Sequence, residues 1–244
     1  MQQSNASSPS YRIAPATVTH VPQITAIVDH YILHTTTNFA FRPLPEKHYQ
    51  HVLVDNYDHR RLPFLVAIED NEPANDNNDT RTEGKESERE EKVIGFTTVT
   101  TWIPSKLGYA HTLELSLYIS PAQRGCGVGT ALLTALIAHL ENNEYFTFSE
   151  GGAPAPHSSG PNEIHGGEKY IYGIPVKCKQ LLALMAVDED ATLDGQVCKF
   201  YERRGFESMG ILKGIGWKFG KRRDVRMLSR ELNVGCTPED ADQY

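Results

Sequence analysis

Apolar residues along the chain alternate between the two-residue period of strands and the three-to-four-residue period of helices. A strand is predicted over residues 11–18, and a weaker amphipathic segment at about 46–58. Between them, one apolar helix face is formed by Val21, Ile24, Ile27, Val28, Tyr31 and Ile32. The pattern therefore opens with a strand followed by two helices.

The rest of the chain continues this alternation. The remaining predicted elements are strands at 64–70, 93–102 and 113–119, a helix at 130–140, a strand at 181–187, a helix at about 195–204, and strands at 206–213 and 224–232. The order is β-α-α-β-β-β-α-β-α-β-β. Such an order indicates a single α/β domain with a mixed sheet, which we place at residues 11–232.

Two segments interrupt the pattern. Residues 71–92 carry dense charge and almost no apolar side chain, so they cannot bury enough surface to hold one conformation. A second segment is rich in Gly, Pro and Ser. We predict two long disordered insertions, at about 71–92 and 145–176, and flexible tails at 1–10 and 233–244.

Composition and charge narrow the class of protein. The chain of 244 residues has a formal net charge of -7, without the basic stripe that binds nucleic acid. Its four cysteines are scattered and show no zinc spacing, so we expect reduced thiols in the cytoplasm. No apolar run reaches membrane-span length. Neither nucleic acid nor a membrane is therefore an expected partner.

The most informative stretch is SPAQRGCGVGTALL at residues 120–133, which directly follows an apolar strand. Glycines alternate at Gly125, Gly127 and Gly129, so consecutive backbone N–H groups meet a helix N-terminus and can bind an anion. A glycine-rich connector without a ligand is the alternative. The pattern Arg-x-x-Gly-x-Gly fits neither a P-loop, which needs a lysine, nor the dinucleotide fingerprint, which needs glycine at Thr130.

This loop resembles that of the GCN5-related N-acetyltransferase (GNAT) superfamily. Blocks at 27–39, 108–121, 200–206 and 216–225 resemble its phosphinothricin / methionine sulfoximine N-acetyltransferase subfamily. The resemblance implies a single domain with a mixed, mostly antiparallel sheet flanked by helices. It also implies acetyl-CoA as co-substrate and a homodimer. His157 and His165 have no supporting ligands nearby in the sequence, so we expect no metal.

The resemblance also implies which residues contact the co-substrate. Backbone groups of Leu117, Tyr118 and Ile119 would meet the pantetheine arm, and Asp194 stands where the subfamily has an asparagine that contacts CoA. The diphosphate would lie on Arg124, Gly125, Cys126, Gly127, Val128, Gly129 and Thr130.

Acetyl transfer to an amine needs a base and a proton donor. Glu114 matches the subfamily's general base, and its apolar neighbours Leu113, Leu115 and Leu117 should raise its pKa. A structural ion pair is the alternative role for this residue. Tyr201 matches the tyrosine that protonates the leaving sulfur, although it could equally be an amphipathic tyrosine on a helix face.

The resemblance implies the α-amine of a small amino acid or analogue as acceptor. Phe39 and Tyr109 match residues of the acceptor pocket, although Phe39 could equally be a core residue. The subfamily's arginines near Tyr109 are absent, which leaves Lys106 for a substrate carboxylate, with Arg42 or Lys218 as possible substitutes.

Two other functions stay open. One is acetylation of a polyamine, an aminoglycoside or a peptide N-terminus. The other is a non-catalytic acetyl-CoA-binding protein.

Overall fold

The computed structural model describes residues 10–70, 91–104, 106–148, 172–187 and 191–234. Four helices occur in this part of the chain: α1 (Val21–His34), α2 (Glu46–Leu53), α3 (Val128–Asn142) and α4 (Ala191–Glu202). The strands are β1 (Tyr11–Pro15), β2 (Phe64–Glu69), β3 (Lys92–Thr101), β4 (Thr112–Ile119), β5 (Tyr145–Phe148), β6 (Tyr172–Val176), β7 (Gln180–Ala186), β8 (Glu207–Lys218) and β9 (Lys221–Glu231).

Seven strands form the main sheet, in the order β1-β2-β3-β4-β7-β9-β8. Strands β4 and β7 are parallel, and every other neighbouring pair is antiparallel. Parallel neighbours cannot be joined by a tight hairpin, and α3 lies in the connection that joins these two. The sheet is therefore mixed and mostly antiparallel, as the sequence predicts.

Each face of the sheet carries its own apolar layer. On one face, Leu113 and Leu115 of β4 pack in a buried cluster with Leu132 and Leu136 of α3. On the other face, the apolar side of α1 packs with Phe96 of β3, and the ring of Tyr118 lies against that cluster. Strand alternation thus sends successive β4 side chains to opposite layers.

The ends of the second predicted insertion are ordered. Tyr145–Phe148 and Tyr172–Val176 form the antiparallel two-stranded sheet β5-β6, so the prediction of disorder over 145–176 was wrong at both ends. Tyr145 is buried because its ring enters the core and its hydroxyl donates to the Ala110 carbonyl. Residues 149–171 lie outside the described residues.

Two other predicted boundaries also differ from those in the structure. Strand β3 begins at Lys92, inside the predicted first insertion, and Val234 of the predicted C-terminal tail is buried in the core. Both residues adjoin apolar segments that extend past the predicted limits. The segments 1–9, 71–90 and 235–244 lie outside the part of the chain that the structure describes.

Within the described ranges, no helix has the length and hydropathy needed to cross a membrane. In the same residues, no cluster of three or more His, Cys, Asp or Glu side chains is arranged to hold a metal ion.

Candidate active site

The sheet opens between β4 and β7. These strands pair only from Thr112↔Gln180 to Glu114↔Leu182, whereas β4 stays paired with β3 as far as Ile119. Beyond Glu114, one edge of β4 therefore loses its neighbour. We call this gap the β4–β7 opening.

The backbone of β4 presents alternate residues to this opening. Ser120 N–H donates to Ile94 on the β3 side (2.9 Å), and Thr112 C=O accepts from Trp102 on that same side (3.1 Å). Even-numbered residues of β4 thus bond to β3, so odd-numbered residues point their N–H groups the other way. The N–H groups of Leu117 and Ile119 consequently point into the β4–β7 opening.

Glu114 lies where the opening begins. It is half-buried, and burial raises the pKa of its carboxyl group. Burial is thus the cause, but the predicted neighbours were wrong. Leu113 and Leu115 join the α3 layer on the opposite face of the sheet, and Leu117 packs against that same layer. Among the described residues, Glu114 forms no ion pair.

Tyr118 shares the sheet face of Glu114. Its ring lies edge-on to Tyr31 (centroids 5.0 Å apart) and stacks on Phe96 (5.4 Å). Its hydroxyl accepts a hydrogen bond from Asn38 Nδ2 (3.1 Å). Sequence analysis gave Tyr118 a backbone role only and did not select Asn38, because this contact joins residues 80 positions apart.

Tyr201 is buried on α4, edge-on to Phe200 and Phe206 (centroids 5.1 and 5.2 Å). Burial raises the pKa of its hydroxyl, and the nearby Tyr118 phenol raises it further. The hydroxyl is thus protonated at neutral pH, as a proton donor must be.

The glycine turn, residues 124–129, joins β4 to α3. Gly125 (φ 80°) and Gly127 (φ 83°) adopt the left-handed conformation that favours glycine, and α3 begins at Val128. The Thr130 N–H already donates to the Gly127 carbonyl (2.9 Å). Thr130 therefore has its N–H engaged within the chain, unlike the first N–H groups of a helix in general.

Gly129 differs from the other two glycines. A methyl group there would lie 3.6 Å from the Phe200 ring and 3.7 Å from Ile119, which are ordinary contacts. Packing within the chain thus does not require glycine at this position. A ligand lying against the start of α3 would require it.

Arg124 extends from the turn toward α1. Its Nε donates to the Tyr31 hydroxyl (3.3 Å), and its guanidinium carbon lies 5.1 Å from the centre of that ring. Val128 is buried in the core, and the half-buried Cys126 Sγ lies 3.8 Å from the Arg124 carbonyl. The turn is thus anchored at Val128 and exposed at Arg124.

A cavity of about 470 Å³ lies between α3 and α4, next to the glycine turn. We call it the α3–α4 cavity. Its lining contains three cations and one aromatic ring, in the set Thr130, Thr134, Gln196, Lys199, Phe200, Arg203 and Arg204. The Arg204 guanidinium stacks 3.9 Å above the centre of the Phe200 ring. The three cations Lys199, Arg203 and Arg204 lie in one short stretch at the end of α4, but the sequence alone does not indicate that they face α3 across a cavity.

Asp194, the predicted CoA contact on α4, is paired with Arg226 of β9 (2.9 Å). Its Oδ2 forms this ion pair, whereas its buried Oδ1 has no hydrogen-bond partner among the described residues. One oxygen is thus left to accept a hydrogen bond.

The loop after α1 meets the β8–β9 hairpin. The Phe39 ring lies so close to Gly216 that a methyl group there would stand 2.4 Å from Cε1. Lys218 is buried and donates through Nζ to the Ala40 carbonyl. The other predicted acceptor residues, Lys106 and Tyr109, are exposed in the loop before β4.

Comparison with known proteins identifies the family. The model of the acetyltransferase (GNAT) family matches residues 33–150. A phosphinothricin N-acetyltransferase from Alcaligenes faecalis is 27% identical over 217 residues, which cover 89% of this chain and 80% of that protein. The chain belongs to the GNAT family of acetyltransferases. This confirms the predicted family, enzyme class and acetyl-CoA co-substrate.

Solved acetyltransferase structures share the fold. A phosphinothricin acetyltransferase from Sinorhizobium meliloti, solved with AcCoA, has a TM-score of 0.63 at 19% identity, over 92% of this chain and 90% of that chain. A ribosomal-protein-alanine N-acetyltransferase from Brucella melitensis has a TM-score of 0.59 at 22% identity, over 91% and 99%. These likenesses confirm the predicted fold class.

Proposed function

We propose that this GNAT enzyme transfers the acetyl group of acetyl-CoA to the α-amine of a small amino acid or analogue. One observation supports the proposal most strongly. The β4–β7 opening runs from a poorly solvated carboxylate, Glu114, to the glycine turn at the start of α3. A thioester lying along this edge would have its diphosphate at one end and a base at the other.

Acetyl-CoA would bind through three adjoining surfaces. The N–H groups of the glycine turn, together with Arg124, would hold the diphosphate, and Gly129 would let it approach the backbone. The N–H groups of Leu117 and Ile119 would pair with the pantetheine arm. The α3–α4 cavity, with its cations and the Phe200 ring, suits the nucleotide end of the molecule.

Direct transfer would then proceed as one addition and one elimination. Glu114 accepts a proton from the substrate ammonium, directly or through a water, and the free amine attacks the thioester carbonyl carbon. The Leu117 N–H donates to the developing oxyanion. The carbon–sulfur bond breaks, and Tyr201 protonates the departing thiolate. The acetylated nitrogen loses its second proton, which restores the Tyr201 hydroxyl. The products are the N-acetyl amine and CoA.

The acceptor assignment is supported by the phosphinothricin N-acetyltransferase relative and by the Phe39 loop. Asn38 and Phe39 lie between Tyr118 on β4 and Gly216 on β8. Lys218 is the cation held against this loop, through Ala40. We therefore assign the substrate carboxylate to Lys218 as well as to Lys106.

The experiment is a CoA thiol-release assay with acetyl-CoA and a panel of amines. The panel contains free amino acids, phosphinothricin, methionine sulfoximine, polyamines, aminoglycosides and peptides with a free N-terminus. We expect turnover with amino acids or their analogues, and a loss of acceptor affinity in Lys218→Met that exceeds the loss in Lys106→Met. Turnover with cationic amines alone would reject the acceptor class. Acetyl-CoA binding without thiol release for any amine would indicate the non-catalytic alternative.

The proposal includes a homodimer formed through β8. This strand is an edge of the sheet, and its side chains Met209, Ile215 and Trp217 are each more than half exposed. Exposed apolar edge strands pair with other chains unless something protects them, and two copies of one strand can pair across a two-fold axis. We expect Ile215→Lys to convert a dimer to a monomer in light scattering. If the parent protein is a monomer, the proposed homodimer is wrong.

A cytoplasmic location is also part of the proposal. Cys126, Cys178 and Cys198 are free thiols, and thiols persist in a reducing compartment.

A further inference from the structure

Tyr31 links the two parts of the proposed coenzyme site. Its hydroxyl donates to the carbonyl oxygen of Ile119, the last residue of β4, at 2.6 Å. The Tyr31 hydroxyl oxygen in turn accepts a hydrogen bond from Arg124 Nε in the glycine turn, at 3.3 Å. A phenol has one hydrogen to donate and lone pairs to accept, so one group satisfies both neighbours. No sequence pattern selects Tyr31 for this role, because its helical spacing accounts for it as a core residue.

The contact restrains an otherwise free side chain. Arg124 stands on an exposed turn, where an arginine samples many rotamers and loses entropy when a ligand fixes it. Tyr31 holds it through Nε and through the ring face, 5.1 Å from the guanidinium carbon. The two Nη groups have no partner among the described residues. These are the groups that grip an anion with two parallel hydrogen bonds.

Tyr31 is itself fixed in place. It is buried on α1, and its ring lies edge-on to Tyr118 with the centroids 5.0 Å apart. The Tyr118 hydroxyl is in turn bonded to Asn38. These contacts thus fix the position of Arg124 relative to strand β4 as well as to the turn.

We infer that Tyr31 is a positioning residue, which orients Arg124 toward the diphosphate of acetyl-CoA before the ligand arrives. This inference rests on the proposed function. It predicts that the Tyr31 hydroxyl contributes to coenzyme affinity only through Arg124. A purely structural tyrosine would instead affect stability and all ligands alike.

The test is a double-mutant cycle on CoA affinity, measured by calorimetry. Tyr31→Phe keeps the ring and removes the hydroxyl. We expect it to raise the Kd for CoA about tenfold, the value typical of a hydrogen bond to a charged group. Arg124→Ala should raise the Kd at least as much. Tyr31→Phe added to Arg124→Ala should then change the Kd by less than about twofold.

Two controls separate positioning from structure. Tyr57→Phe removes a hydroxyl from a residue packed on the same apolar layer, and it should leave the Kd unchanged. S-acetylpantetheine has the thioester and the arm but no diphosphate, so Tyr31→Phe should leave its KM unchanged. Thermal melting checks that each variant is folded.

The outcomes are distinguishable. If the parent protein does not bind CoA, both the proposed function and this inference fail. If CoA binds but Tyr31→Phe leaves the Kd unchanged, or if the two substitutions add independently, the role of Tyr31 alone is rejected. Equal losses with acetyl-CoA and S-acetylpantetheine would reject it as well.

Discussion

Glu114 and Tyr118 lie on the same face of β4, four residues apart, and the pKa of the Tyr118 hydroxyl is raised mainly by burial and further by the charges of Tyr31 and Glu114. Burial raises the pKa of both groups. They therefore share a poorly solvated pocket at the β4–β7 opening. In such a pocket a carboxylate binds a proton more readily than in water, which suits a base that must take one from an ammonium group.

The first prediction concerns this base. Glu114→Gln should lower kcat by about 10²- to 10⁴-fold, the range typical of general-base catalysis, while the Kd for acetyl-CoA stays within about twofold. The acid limb of kcat/KM in the parent enzyme should lie at a pH above the ordinary pKa of a glutamate, because that of Glu114 is raised. Thiol release across a pH series measures both. Full turnover by the glutamine variant would show that Glu114 is not the general base.

The second prediction concerns stability. Because the pKa of Glu114 is higher in the folded state than in the unfolded state, the folded protein binds more protons between those two values. Stability from this group is present below the unfolded pKa and falls as pH rises through the folded pKa. Glu114→Gln should therefore raise the melting temperature at pH 7 to 8, and the gain should disappear near pH 4. The exposed Glu144→Gln is the control, and an equal gain there would contradict the prediction.

The third prediction concerns the proton donor. Tyr201→Phe should lower kcat about 10²-fold, because the thiolate would leave without a positioned acid. The ring remains in its contacts with Phe200 and Phe206, so the melting temperature should change little. Steady-state kinetics and thermal melting together decide between the roles. Unchanged kcat with a lowered melting temperature would make Tyr201 a core residue only.

The fourth prediction concerns the acceptor loop. Gly216→Ala would place a methyl group 2.4 Å from Phe39 Cε1, so the loop that carries Phe39 must move. We expect the KM for the amine to rise about tenfold or more, as misplacement of a substrate-positioning residue costs, while the Kd for acetyl-CoA stays the same. Gly195→Ala, on α4 and outside the predicted acceptor residues, is the control for the amine KM, since a methyl group there meets no atom within 4 Å. If the two substitutions change the amine KM equally, Phe39 does not contribute to acceptor binding.

Local patterns in the sequence account for much of the fold. The spacing of apolar residues in α1 and the alternation in β3 and β4 depend on residues near one another, and all three elements appear where they are predicted. The glycine turn is also local, because Gly125 and Gly127 need positive φ for the strand to enter α3. Such features can be predicted because the residues that determine them lie close together in the sequence.

Contacts between distant segments were missed. The Asn38–Tyr118 and Tyr31–Arg124 bonds join residues 80 and 93 positions apart, and nothing in either segment indicates the other. Strand β5 was assigned to an insertion because it is short and precedes a Gly- and Pro-rich segment. Its pairing with β6 depends on the burial of Tyr145, which only the tertiary structure reveals.

The most direct measurement of the central claim is an amide-shift titration of the ¹⁵N-labelled protein with CoA. We expect the largest shifts at the N–H groups of the glycine turn, Leu117 and Ile119, and smaller shifts at the backbone amides of the basic residues that line the α3–α4 cavity. The amides of α2 should not shift. Saturable shifts that spare the glycine turn and β4, or no saturable shifts at all, would contradict it.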